Sequence, residues 1–355
     1  MAVTVVVPEA GPLVPALGAA GARVVVGEVC KLQRGLLSPR GAWRTVQAAW
    51  RSLRWLRALH RETRFDLVYS NSVAVLGGAL VARSLRLPHV WHVREILAGS
   101  SGLTWAFRRL VSALSTRVIS NSAETRQWIA GQRGAADPRY AVVWNGVDQG
   151  QSTADRQLTR LGLGVQGGEV LLVLVGRINA WKGQFLLVEA FARMVAEGVA
   201  NARLAIVGSA FAGQEHFEAQ LAQAVAASGC AERIEVQSFR TDVDAVWDAA
   251  DVVVVPSIEP EPFGRVAIEA MAFSKPVVAA AHGGLKEIVD NGVTGWLVAP
   301  RDASALSTAL KRLVQSASMR DEMGRAGLAR QRQYFSVQAY AERVAAELNA
   351  AWKRT

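Results

Sequence analysis

The sequence predicts an α/β chain made of two doubly wound parallel-sheet domains. Three observations carry this prediction. The chain has 355 residues, more than one ordinary core accommodates. Short apolar runs alternate with segments of helical period, which is the pattern of successive βα units. Several of those runs, such as the four valines at 252–255, are apolar without interruption, as expected of strands buried in a parallel sheet.

Taken in order, the first part reads as strands over residues 3–7, 23–26, 67–70, 89–92, 117–120 and 141–144. The helices between them are expected over 13–20, 43–61, 74–85, 103–114 and 123–131. Asn145-Gly146 is turn chemistry and marks the exit from this domain. Polar, Gly-rich residues 149–168 read as part linker and part loop. The second part has strands over 170–176, 202–208, 233–239, 252–256, 276–280 and 296–298. Its helices are expected over 184–197, 215–228 (ended by Gly229), 242–250, 263–274 and 285–290, with a last helix at 337–352. The domains are therefore set at 1–148 and 149–334, followed by a C-terminal segment, 335–355.

Composition narrows the class. At 51% hydrophobic and 20% charged the chain is globular. Cys30 and Cys230 are its two cysteines, so no disulfide framework is expected and a reducing, cytoplasmic location is the default. No apolar run approaches the roughly 20 residues of a membrane-spanning helix. The N-terminus lacks a basic stretch and is interrupted by Pro8 and Gly11, so it does not read as a signal peptide. The net charge of +10 is uneven. Residues 1–150 hold 19 Lys+Arg against 8 Asp+Glu, whereas 151–355 hold 21 against 22. A basic domain joined to a neutral one suggests that the first faces an anionic surface or acceptor.

The most informative stretch is residues 258–271. It places Glu261 in a proline-flanked loop after strand 252–256 and Glu269 eight positions on, in the following helix. The carboxyl end of a buried parallel strand, next to a helix N-terminus, is where open α/β sheets take anionic ligands. Backbone N–H groups at Phe263, Gly264, Arg265 and Val266 would meet such an anion. Glu269 can accept hydrogen bonds from a ribose diol, and Glu261 from hydroxyls at the reacting end. Arg177 and Lys182 lie in the loop after strand 170–176, bracketed by Gly176 and Gly183. Two cations there can hold an anionic group such as a phosphate. The plainer alternatives are a surface pair between Arg265 and Glu269, four residues apart, and a solvated loop carrying ordinary basic residues. Gly283-Gly284 allows close approach of backbone to a ligand, or simply makes a tight turn. Asp242-Val-Asp244 has the form of a metal motif, but Asp242 reads as a helix cap and no metal site is assigned.

These segments resemble the retaining glycosyltransferases of family 4, whose signature is a Glu pair with seven residues between, matched by Glu261 and Glu269. The resemblance continues through residues 176–183, 144–148 and 282–297 and covers most of 66–352. It implies the GT-B architecture, two Rossmann-like domains facing a cleft, with the last helix crossing back to the first domain. It implies transfer of a sugar from a nucleotide-diphosphate donor to an acceptor hydroxyl with retained configuration, without a metal or other cofactor. The donor base would lie near Phe239 and Arg240, and the sugar between Glu261, the Gly283 loop and His92. His92, at the end of strand 89–92, resembles the family's histidine at the transfer point. Arg94 and Glu95 are lesser candidates for substrate contact. Family members open with a strand and a Gly-rich loop before the strand seen here at 3–7, so one βα unit is expected to be missing. The acceptor would be a glycan or a lipid-linked group, in cell-surface glycan or glycolipid synthesis.

One helix remains outside that reading. Trp43, Val46, Trp50, Leu53 and Leu56 recur every three or four residues among Arg44, Arg51, Arg54, Arg57, Arg61 and Arg64. Either the apolar stripe packs on the sheet, or this basic amphipathic helix makes peripheral contact with an anionic membrane. Two rival functions stand beside transfer: a donor-binding relative that cannot transfer, and a binder of anionic surfaces or nucleic acid. No nucleic-acid module is visible, and nucleic acid is not expected as a partner. No Gly-x-Gly-x-x-Gly follows a strand, which argues against a nicotinamide dehydrogenase.

Overall fold

The computed structural model describes residues 2–31, 38–97, 101–134 and 136–353. The chain divides into two compact units, Met1–Val143 with Arg343–Thr355, and Trp144–Glu342.

The first unit opens with β1 (Thr4–Val7), α1 (Leu13–Ala19), β2 (Arg23–Val26) and α2 (Pro39–Thr63). It continues with β3 (Val68–Asn71), α3 (Gly77–Leu85), β4 (His89–Val93) and α4 (Ser101–Leu114). It closes with β5 (Arg117–Ser120), α5 (Ala123–Gly134, kinked at Gly131) and β6 (Tyr140–Val142). All pairings within its sheets are parallel. The sequence suggests a single doubly wound sheet here, but the strands form two. β1 and β2 pair with each other, while β3, β4, β5 and β6 make a separate four-stranded sheet in that order. Burial follows the division: β4 is buried throughout, whereas no residue of β1 or β2 is. Apolar runs foretell strands but not neighbours, because adjacency is decided by which faces are covered. The core of the larger sheet gathers Trp91, Val93, Phe107, Val111, Val118 and Ile129.

Helix α2 packs through Ser52, Leu56 and Leu59, and the Ser52 side chain lies against Gly77 of α3, where a Cβ would come within 2.4 Å of its oxygen. The stripe read from sequence is therefore out of phase by part of a turn. Leu56 points inward, but Trp43, Val46 and Trp50 do not.

The second unit contains α6 (Arg156–Gly162), β7 (Val170–Val175), α7 (Gln184–Ala196), β8 (Ala202–Val207) and α8 (His216–Ala226). β9 (Ile234–Gln237), α9 (Val243–Ala249), β10 (Val252–Val255), α10 (Arg265–Ala272) and β11 (Val277–Ala280) follow. It ends with α11 (Leu285–Ile288), β12 (Gly295–Val298), α12 (Ala303–Gln315), α13 (Ala317–Tyr334) and the start of α14 (Val337–Trp352). Its six strands run in the order β12-β11-β10-β7-β8-β9, all parallel. Two cores cover the two faces. Leu172, Leu174, Leu204, Ile206, Val252 and Val254 point to one. Leu171, Val173, Ala205, Val207, Val253 and Val255 point to the other. Alternate side chains are thus buried on opposite sides, which is why the strand sequences are continuously apolar.

Helices α6, α12 and α13 are absent from the sequence reading given above. Their signals are present: Asp155 caps α6 through Gln157 N and Leu158 N, and Asp302 and Ser316 cap α12 and α13 through single backbone N–H groups. Leu306, Leu310 and Leu313 supply the apolar period of α12. Asp242, in contrast, makes no side-chain cap on α9; its carboxylate pairs with Arg240, Nε to Oδ1 at 3.0 Å and Nη2 to Oδ2 at 2.6 Å.

Candidate functional site

Strand order β9-β8-β7-β10-β11-β12 reverses direction of progression between β7 and β10. In open parallel sheets the loops leaving two such strands diverge to opposite faces and leave a crevice at their carboxyl ends. The loop after β7 carries Arg177 and Lys182, and the loop after β10 carries Glu261. The structure brings two of these together. Lys182 Nζ donates to Glu261 Oε1 at 2.6 Å.

Local chemistry fixes each partner. Asn179 is buried, and its Oδ1 accepts from the backbone N–H groups of Trp181 and Lys182 at 3.0 and 2.9 Å. The folded loop sets Lys182 Nζ over the Trp181 ring, 4.5 Å from its centroid. Gly183, the residue before α7, has φ +83°, and a Cβ there would lie 2.1 Å from the Pro256 carbonyl oxygen. Only glycine permits both the left-handed backbone and this approach of the two loops. On the other side, Glu261 is 5% exposed, and Ser257 Oγ donates to its Oε1 at 2.6 Å. His282 Nε2 meets the Ser257 carbonyl at 2.7 Å. Gly284 N–H donates to the Glu261 carbonyl at 2.9 Å, and Gly283 (φ +58°) abuts the Glu261 backbone. The loops after β7, β10 and β11 therefore converge on one buried carboxylate.

Arg177 is placed differently. Its guanidinium lies over Phe211, 3.7 Å from the ring centroid, while its carbonyl accepts from Gln184 Nε2. Phe263 is buried and Gly264 precedes α10 with φ +103°. Arg265 and Val266 begin that helix. Arg265 Nε pairs with Glu269 Oε1 at 2.7 Å, so the plain i,i+4 pair anticipated as the alternative is present. Burial raises the Glu269 pKa above the usual carboxylate range, and the neighbouring Arg265 opposes that rise. Phe239 is 72% exposed at the carboxyl end of β9, and Arg240 beside it is held by Asp242. Among the described residues no group of three or more His, Cys, Asp or Glu side chains could hold a metal ion.

In the first unit His92 is fully buried near the end of β4. Its Nδ1 lies 2.5 Å from the Tyr69 hydroxyl. Burial, assisted by the Arg94 charge, lowers its pKa to about 3, so the ring is neutral at physiological pH. Glu95 accepts from Ser72 Oγ and Val73 N–H, each at 3.1 Å, which ties it to the chain after β3. Arg94 reaches Asn71 Oδ1 at 3.4 Å, and its carbonyl accepts from Asn121 Nδ2.

Sequence reasoning missed Ser257, Asn179, His282 and Phe211. Ser257 and Asn179 sit within the motif stretches and had a signal, their short polar side chains in loops that must turn sharply. Phe211 had none, since it is remote in sequence from Arg177.

A family model for "Glycosyl transferases group 1" matches residues 155–330, and one for "Glycosyltransferase Family 4" matches 1–151. A D-inositol 3-phosphate glycosyltransferase of Geodermatophilus obscurus is 36% identical over 247 residues, 68% of this chain and 54% of that relative. The Mycobacterium marinum protein of the same name is 35% identical over 59% of this chain and 44% of its own length. The chain thus spans about half the length of these curated relatives. Anabaena Alr3699/HepE, solved in complex with UDP and glucose, superposes with a TM-score of 0.81 at 27% identity, covering 98% of this chain and 91% of that one. The sucrose-phosphate synthase of Thermosynechococcus elongatus has a TM-score of 0.72 at 23% identity, covering 96% and 92%, a likeness of fold.

Proposed function

This chain belongs to the family 4, group 1 glycosyltransferases, a GT-B family, and on that premise we propose that it moves a sugar from a nucleotide-diphosphate donor to an acceptor hydroxyl. The observation that carries the reading is the meeting of Lys182 and Glu261 where the β7 and β10 loops part. A cation and a carboxylate at that spot suit the two ends of a sugar phosphate. Arg177 and Lys182 take the diphosphate, Glu269 the ribose, and Phe239 and Arg240 the side of the base. Phe263, Gly264, Arg265 and Val266 offer the start of α10 to the phosphates. Glu261, Gly283 and His92 take sugar hydroxyls.

Transfer proceeds with retention by attack on the face the leaving group vacates. The acceptor oxygen bonds to the anomeric carbon as the carbon–phosphate oxygen bond breaks, and the departing phosphate oxygen takes the acceptor's proton. Fixed positive charge stabilises the diphosphate as it forms, so no metal or cofactor is needed. The likeness to the Anabaena protein solved with UDP makes UDP-glucose the first donor to test. Glycan or lipid-linked hydroxyls in cell-surface glycan or glycolipid synthesis are the acceptors in this reading.

Calorimetric titration with UDP and UDP-glucose tests it. Arg177→Ala with Lys182→Ala is expected to weaken binding by on the order of a hundredfold, since each charged hydrogen bond is worth about 1.5–3 kcal/mol. Glu269→Ala should cost about tenfold or more by the same reasoning. Donor affinity unchanged in the double variant contradicts the phosphate assignment. Binding without turnover in the presence of acceptors would overturn transfer but not donor recognition. His92→Gln should lower kcat, and product anomers distinguishable by NMR report retention.

A further inference from the structure

Helix α2 turns an apolar arc to solvent. Trp43, Val46 and Trp50 are 61%, 59% and 55% exposed, although the same helix buries Ser52, Leu56 and Leu59 on its opposite side. At 100° per residue the three exposed side chains fall within about 60° of one another. Arg44, Arg51 and Arg54, all exposed, occupy the adjoining arc of about 80°. Arg54 stacks over Trp50, 4.6 Å from the ring centroid.

We propose that this face of α2 docks on the surface of an anionic phospholipid bilayer. Tryptophan is the side chain suited to the boundary between headgroups and acyl chains, because its ring is apolar and its N–H can stay hydrated. Exposing two of them on one face is costly in water and favourable there. The flanking arginines lie where phosphate headgroups would be when the tryptophans are inserted. The unit that carries the helix holds 22 Lys+Arg against 8 Asp+Glu, so its long-range field draws it to the same surface. A second copy of the chain fits this face poorly, since two such faces would set arginine against arginine. The inference stands on the exposed face alone and does not depend on sugar transfer.

Flotation of the full chain with vesicles tests it. The protein should float with vesicles of phosphatidylcholine and phosphatidylglycerol, stay behind with phosphatidylcholine alone, and be released by salt. Trp43→Ser with Trp50→Ser should lower partitioning about tenfold or more. Arg44→Glu, Arg51→Glu and Arg54→Glu together should lower it by on the order of a hundredfold, at roughly fivefold for each positive charge near the surface. Both variants should melt like the wild type, because the altered side chains are exposed. Failure of the wild type to float with anionic vesicles overturns the proposal, as does floating of either variant at the wild-type level. Retention on DNA or self-association that the variants abolish, without vesicle binding, would also overturn it and assign the face to that partner.

Discussion

Glu261 is nearly enclosed, yet among the described residues Lys182 and Ser257 both donate to the same oxygen, Oε1. That geometry polarises the group toward one side and leaves Oε2 as the atom for a sugar hydroxyl in the proposed reaction. Removing Lys182 leaves a buried carboxylate with a single neutral donor, so substitutions at Lys182 weaken the fold as well as the ligand contact. For that reason affinity, not melting temperature, is the measurement that judges it. Arg177 is posed by a neighbour instead of by an ion pair: its guanidinium rests on Phe211. If the aromatic face aims the charge, Phe211→Tyr should bind UDP as the wild type does. Phe211→Leu, similar in bulk but without the ring quadrupole, should bind roughly 3–30-fold more weakly. Equal affinities for the two variants in calorimetry would show that Phe211 supplies bulk alone.

At the scale of elements, the site exists because three loops pass within backbone contact. Gly183, Gly283 and Gly284 are the points of passage. A Cβ at Gly183 would sit 2.1 Å from the Pro256 oxygen, and one at Gly284 would sit 2.5 Å from the Phe263 oxygen. Gly183→Ala also forces a left-handed backbone on a residue with a side chain. Its expected cost is about 2 kcal/mol or more in urea denaturation, against less than about 0.5 kcal/mol for Gly168→Ala, which has open space. Comparable losses at the two positions would mean that the loops adjust freely. The sequence exposes all three, Gly183 as the close of the 176–183 motif and 283–284 as a pair, but the reason each must be glycine lies in the partner strand's loop.

Across the whole molecule, charge and titration are segregated. The second unit carries 18 Lys+Arg against 22 Asp+Glu, so the basic balance belongs to the first. The first unit also buries His89 and His92, whose pKa values burial lowers to about 4 and about 3 from an ordinary 6.5. The sign follows directly. As pH falls below 6.5 the unfolded chain takes up two protons that the folded unit refuses, so stability is full above that pH and is lost toward pH 4. Near pH 5 the slope from the pair approaches about 2.7 kcal/mol per pH unit. Urea unfolding between pH 7.5 and 5 should show the first unit weakening first. His89→Gln, which removes one titrating group, should halve that slope; an unchanged slope would refute the assignment.

What the sequence determined by itself is local and periodic. Uninterrupted apolar runs gave the parallel strands, and the order of Arg177, Lys182, Glu261 and Glu269 along the chain placed these charged groups after strand ends, where the proposed reading puts the donor, because motif spacing survives any packing. What only the tertiary structure decided is which groups meet. The pairing of Lys182 with Glu261, the stacking of Arg177 on Phe211, the splitting of the first sheet and the outward turn of Trp43 and Trp50 all depend on contacts between segments far apart in sequence. Periodicity says that a helix has two faces. Which face is covered depends on the neighbour, and for α2 that neighbour is Gly77, whose missing side chain admits Ser52 and leaves the tryptophans facing water.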